Sequence, residues 1–231
     1  MATSILANFQ TDVEADLEWR QKEVRAIKRS IVTATSDEER NALRRALITV
    51  LYAHLEGGFK IAVSSYIRVI NDRKLEVQES NPHIAASAWA GMFKELANSA
   101  KKNDFFRNSL PDDAKLHAFA RHAEFVTSLR KFEGVPVSID DTKIVDTEGN
   151  IDQVVIAKIL FRLGLPPNTL ERKFADLQYL RKIRNPIAHG ERELATEAHC
   201  QKYEQTVFAV LSRIRDLLSK AISEQSFLRA S

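Results

Sequence analysis

The chain has 231 residues and a formal net charge of +3, from 34 Lys and Arg against 31 Asp and Glu. That balance excludes nucleic-acid binding through a global field, so any site for a polyanion has to be local. A lone Cys200 excludes an internal disulfide and a cysteine-built zinc cage, and it suits a reducing compartment. With 44% hydrophobic and 28% charged residues the composition is that of a globular protein. Only 7 Gly and 6 Pro disfavour a turn-rich β architecture and favour long helices, so the expected fold class is all-α. No uninterrupted apolar run reaches the roughly 18 residues that span a bilayer. The opening Met1-Ala2-Thr3-Ser4-Ile5-Leu6 lacks the basic and apolar regions of a signal peptide. The expectation is a cytoplasmic protein with no membrane partner.

From Ile5 to Thr33, Leu6, Phe9, Val13, Leu17, Val24, Ile27 and Ile31 recur at helical spacing opposite a densely charged face. This amphipathic helix, residues 1–35, either packs on the body or contacts a partner; residues 36–231 are expected to form the main domain. Ser36 and Glu39 make a capping-box signature. The most hydrophobic segment follows, Ala42 to Ile70, with Gly57 and Gly58 inside it. Two glycines within a helix cost about 1 kcal/mol each relative to Ala, which predicts a close approach to the backbone there by another helix or a ligand. His54 is read either as a hydrogen-bonded core histidine or as a residue near a functional site.

Asn81-Pro82 predicts a third helix running to about Ala100, and Pro111-Asp112-Asp113 opens a fourth to about Phe132. His117 and His122 lie five apart on it without an acid or Cys to complete a set, so no metal site is expected. Val135 to Ile139 and Ile144 to Asp146 have strand character, predicting one loop or small hairpin near 133–150. Helices are then expected over Ile151 to Leu163, ended by Gly164, and over Asn168 to Ile183. In the latter Leu170, Phe174, Leu177 and either Leu180 or Ile183 face inward. A long last helix runs from Thr196 to Phe227.

Between the last two helices lies the chemistry, in Tyr179-Leu180-Arg181-Lys182-Ile183-Arg184-Asn185-Pro186-Ile187-Ala188-His189-Gly190-Glu191. Six basic residues stand against three acidic ones between Glu171 and Arg192. The proline predicts a break or kink with Asn185 as an N-cap, followed by one turn stopped by Gly190. On an uninterrupted helix Arg184 and His189 would sit about 140° apart. A fixed cation, an amide and a side chain of the type that titrates near neutrality are parts from which a phosphodiester is broken without a metal. A helix corner with a capping Asn, a surface Arg and a surface His uses the same residues, and the pattern by itself leaves both readings open.

Arg184-Asn185-Pro186-Ile187-Ala188-His189 resembles the R-x(4–6)-H motif of the HEPN superfamily. Leu51-Tyr52-Ala53-His54-Leu55-Glu56-Gly57, Val145 to Ile151 and Ile159 to Leu165 resemble the segments around that motif in its stand-alone MAE-type and RiboL-PSP-HEPN-like members. The likeness covers about Asp37 to Leu218. It implies a HEPN-type helical bundle with long N- and C-terminal helices, often a homodimer whose two motifs meet in a composite cleft that accepts RNA. It also implies metal-independent endoribonuclease activity without a cofactor, with Arg184, Asn185 and His189 as catalytic residues. Arg181, Lys182, Glu191 and His54 follow as candidates for substrate binding. A toxin or anti-phage defence effector, controlled by an antitoxin or another regulatory protein, fits that implication. The alternative is a HEPN module that binds RNA or a protein partner without cutting.

Overall fold

The computed structural model describes residues 2–147, 149–171 and 174–230. Among these the architecture is all-α, with no strand and only two isolated bridges, Glu76 to Pro136 and Ser80 to Leu228. Helix α1 (Ala2–Thr33) and α2 (Asp37–Asp72) are joined by three residues and form an antiparallel pair. Ser36 starts α2, its hydroxyl accepting from Glu39 N–H at 3.1 Å. The Glu39 carboxylate accepts in return from Thr35 N–H at 2.8 Å, a capping box displaced by one residue.

Helix α2 is the axis of the molecule. Leu47, Ile48, Leu51, Tyr52, Leu55, Phe59, Val63, Tyr66, Ile67 and Ile70 are buried on several of its sides, as expected of a helix surrounded by others. It is long and apolar enough by composition to pass for a membrane span. Its flanks are taken instead by α1, by α8 (Phe174–Ala188) and by α9 (Glu197–Ser223), which makes it a core helix. Helix α1 contributes Phe9, Val13, Leu17, Val24 and Ile31 to the same core, and α9 contributes Tyr203, Val207, Val210, Leu211, Ile214 and Leu218.

The paired glycines mark the tightest packing. A Cβ on Gly57 would lie 3.0 Å from Arg20 Nη2, and one on Gly58 would lie 3.0 Å from both Leu211 methyl carbons. Both α1 and α9 therefore lean on the α2 backbone at this level, as the glycines predict. Gly58→Ala is expected to destabilise by about 1 kcal/mol, because overpacking of about 1–3 kcal/mol exceeds the helix-propensity gain. Gly91→Ala, whose added methyl would meet nothing within 4 Å, is expected to stabilise by up to about 1 kcal/mol. Urea unfolding of the two variants side by side checks the pair.

Beside the glycines a polar cluster joins α1 to α2. Arg20 is 5% exposed and bidentate on Asp16, through Nε at 2.7 Å and Nη2 at 3.0 Å. Its Nη1 lies 3.1 Å from His54 Nδ1, and Trp19 Nε1 donates to Asp16 at 3.0 Å. An Arg has no acceptor to offer, so His54 Nδ1 is the unprotonated nitrogen. Nε2 faces Glu23 at 3.0 Å, at an angle that falls short of a hydrogen bond. Burial, and then the Arg20 charge, push the His54 pKa down, outweighing Glu23 and Asp16. Below the ordinary histidine value of about 6.5 the unfolded chain takes up the proton first, so this residue costs stability as pH falls towards the depressed folded value. His54→Gln is expected to flatten the loss of melting temperature between pH 7 and pH 5.

The remaining elements close over the ends of this core. Asn81 caps α3 (Pro82–Ala88), its side-chain oxygen accepting from His83 and Ile84 N–H, both at 3.0 Å. Its amide nitrogen donates to Ser226 O at 2.7 Å, which ties the C-terminal segment to the same point. The third helix expected to run to Ala100 is two: it ends at Trp89 and restarts as α4 (Ala90–Ala97). The break falls where Trp89 packs against the core and Gly91, a poor helix former, follows. Helix α5 (Ala114–Glu133) pairs with α4, and buried His117 uses both ring nitrogens to hold the intervening loop, at Asn103 N (3.1 Å) and Leu110 O (3.0 Å).

No hairpin forms near 133–150 among the described residues. Val135 to Ile139 is extended and bonds to Leu75 and Val77, while Asn71 holds both backbone groups of Ile139. A single helical turn, α6 (Asp141–Ile144), comes next. The strand-like apolar residues Val137, Ile139, Ile144 and Val145 serve to cap the core, which alternation alone does not distinguish from a sheet. Helix α7 (Gln153–Arg162) ends at Gly164, whose φ of +71° closes the helix. Asn168 to Leu170 form a turn outside α8, which is described from Phe174; Arg172 and Lys173, and the inward placement expected of Phe174, lie outside the described residues and side chains. Leu170, Leu177 and Leu180 are buried, and Ile183 is half-buried against the core.

Candidate active site

Helix α8 runs through Pro186 to Ala188, so the break expected at Asn185 does not occur and Asn185 is not an N-cap. The Asn185 carbonyl accepts from His189 N–H at 3.0 Å, as in a continuing helix. Pro186 removes one bond, that of its own nitrogen to the carbonyl four residues earlier, and the helix continues past it. The end itself is a left-handed glycine closure. Gly190 has φ +81°, its N–H reaches Ile187 O at 3.1 Å, and Glu191 N–H reaches Pro186 O at 2.9 Å. The stop expected at Gly190 is realised.

Continuity of α8 separates the motif side chains. Arg184 is half-buried and turned towards α2, where its guanidinium lies 4.3 Å from the centre of the Tyr52 ring. Nη1 donates to Asn185 Oδ1 at 3.2 Å, and Nε is enclosed with no hydrogen-bond partner among the described residues. His189 is exposed at the C-terminal end of the helix. Within one chain, then, Arg184 is turned to α2 and His189 is exposed about 140° round the helix, with Asn185 between them, bonded to Arg184 and one turn before His189.

Two residues of α2 that were not among the expected site residues, Tyr52 and Glu56, complete the surroundings of Arg184. Tyr52 is 1% exposed and fixed by its hydroxyl, which donates to Ile151 O at 3.1 Å. Glu56, one turn on, accepts from Lys60 at 2.7 Å and Thr147 at 2.6 Å. Burial pushes the Glu56 carboxyl up, but hydrogen bonds from Lys60 and Thr147 and the charges of Lys60 and Arg184 outweigh it, so the net displacement is down. A carboxylate near Arg184 thus stays ionised. Asn41, Arg45, Tyr52 and Glu56 form one stripe of α2 at spacings of four and seven, and that stripe was the available signal.

The other candidates divide. Arg181 is paired with Asp152 at 2.7 Å, and Asp152 also caps α7, so this cation already serves the fold. Lys182 is exposed and has no ion pair among the described residues. The Glu191 side chain is exposed, while its carbonyl accepts from Arg45 Nη2 at 2.7 Å and Asn41 holds Ala195 N–H at 3.1 Å. These two bonds pin the segment after the motif to α2. His54 is placed elsewhere: two residues from both Tyr52 and Glu56, it faces α1 and is 3% exposed. Among the described residues no three of His, Cys, Asp and Glu gather as metal ligands.

Comparison with known families matches residues 15–220 to RiboL-PSP-HEPN. The chain belongs to the RiboL-PSP-HEPN family. No curated protein and no solved structure matched in the corresponding searches. A HEPN-type domain carries a general association with RNA, with ribonuclease activity and with dimerisation.

Proposed function

We propose that this HEPN protein is a metal-independent endoribonuclease whose reacting groups are Arg184, Asn185 and His189. The observation that carries the reading is the state of Arg184. A half-buried guanidinium set on an aromatic ring, with no carboxylate paired to it among the described residues, can take one anionic acceptor. A phosphate oxygen is such an acceptor, and the charge on a pentacoordinate phosphorane strengthens the contact in the transition state. His189, exposed at the helix end, is open to take or give a proton.

In the proposed reaction a base removes the ribose 2′-OH proton and the 2′-oxygen attacks phosphorus. The 5′-oxygen then leaves as the second group protonates it, giving a 2′,3′-cyclic phosphate and a 5′-hydroxyl. One motif supplies one imidazole; in a homodimer His189 of the partner subunit supplies the other. The need for a 2′-OH restricts cleavage to RNA. A cytoplasmic toxin or defence effector, held in check by an antitoxin or regulatory protein, is the setting we propose for such an activity.

The test is purified protein with total RNA and tRNA in EDTA, beside His189→Ala. Cleavage by wild type alone, leaving cyclic-phosphate ends, is the expected result. Equal cleavage by both would refute the assignment, and RNA binding without cleavage by either would favour a HEPN module that binds and does not cut.

A further inference from the structure

The outer face of α8 carries more than the motif histidine. Tyr179, Lys182 and His189 all lie on the exposed side, with Lys182 and His189 within about 20° of each other around the axis. Tyr179 is 54% exposed although its neighbours Leu177 and Leu180 are buried and do the packing. Its ring is held in place from α9. Lys202 Nζ lies 5.2 Å from the ring centre and is anchored by Asp176, one turn back on α8, at 3.1 Å. A tyrosine so placed adds little to the core, and more than half of it remains open beside a cation.

Its position is what gives this ring a ligand. Tyr179 is about 15 Å along the helix axis from His189, and Lys182 lies between them. An aromatic face with an unneutralised cation, Lys182, about 60° round the helix from it offers the elements that hold single-stranded nucleic acid, by stacking and by phosphate contact. Phe105 and Phe119, more exposed still (81% and 69%), lack that setting. Between Glu95 and Glu124 five cations are matched by five carboxylates, so that lobe offers a polyanion no net attraction.

We propose that Tyr179, flanked by Lys202 and Lys182, is a base-stacking subsite for single-stranded RNA, a few nucleotides from the phosphate engaged at Arg184 and His189. This rests on the ribonuclease reading above. Stacking tolerates any base, so the subsite adds affinity and register along the strand without specifying sequence.

Binding of a fluorescein-labelled single-stranded oligoribonucleotide, followed by anisotropy in full-length protein carrying His189→Ala, tests it. Adding Tyr179→Ala is expected to weaken binding about 5- to 100-fold, while Tyr179→Phe and Tyr179→Trp retain it. In protein with His189 intact, Tyr179→Ala is expected to raise KM and leave kcat unchanged. RNA that is bound and cleaved equally well with and without Tyr179 overturns the subsite and leaves the ribonuclease reading standing. Wild type that neither binds nor cleaves RNA overturns both. A smaller sedimenting species for Tyr179→Ala would make the strip a contact between two copies of the chain, and would also overturn the proposal.

Discussion

His189→Ala is expected to lower the rate of RNA cleavage about 10²–10⁴-fold, the usual loss when a positioned proton-transfer group is removed. Because the residue is exposed at the helix end and the Gly190 closure uses only backbone groups, unfolding transitions should not move. Arg184→Ala is expected to cost about 10²–10³-fold, the range for loss of one group that stabilises charge in the transition state. Arg184→Lys should rescue little of that, since a point charge neither stacks on Tyr52 nor forks onto phosphate as a planar guanidinium does. If both groups act on one step, the double variant should be scarcely slower than the worse single variant. Single-turnover cleavage rates decide these points. A double variant slower by the product of the two effects would mean that Arg184 and His189 act independently.

Asp16→Ala is expected to be the most damaging change to stability, by about 3–5 kcal/mol, because it leaves Arg20 buried without its carboxylate. In a chain of this size that corresponds to a fall of roughly 6–20 °C in melting temperature. The surroundings offer no easy escape. Arg20 Nε and both Nη atoms are directed at Asp16 and His54, and its guanidinium packs against Gly57. Replacing the group as a set, with apolar residues of similar volume at positions 16, 20 and 54, should recover much of the loss. Urea unfolding checks both statements, and an Asp16→Ala midpoint equal to that of wild type would show that the cluster contributes nothing net.

The two sets of residues sit on opposite sides of one helix. Tyr52 and Glu56 turn one side of α2 to the motif helix, and His54 turns the other to α1. That alternation explains why His54 was legible as a polar residue of consequence in the sequence and yet belongs to the packing of α1. A polar residue in an apolar helix announces that it has a partner; it does not say which neighbouring helix provides one.

By itself the sequence determined the helical class, most of the element starts and the motif. These depend on local physics: the 3.6-residue period, side-chain caps at Ser36, Asn81 and Thr196, and left-handed glycines at Gly164 and Gly190. Where local preference was weak or could be outweighed, it misled. Pro186 sits inside α8, its lost bond outweighed by the burial of Leu177 and Leu180, and Val135 to Ile139 caps the core in place of pairing as a hairpin. Only the tertiary structure decided which side chains surround Arg184. Tyr52 and Glu56 come from a helix far from it along the chain, and contacts at that separation leave no periodicity to read. The same holds for the exposed strip of Tyr179, Lys182 and Lys202, which exists because α9 packs beside α8 and sets a lysine over the ring.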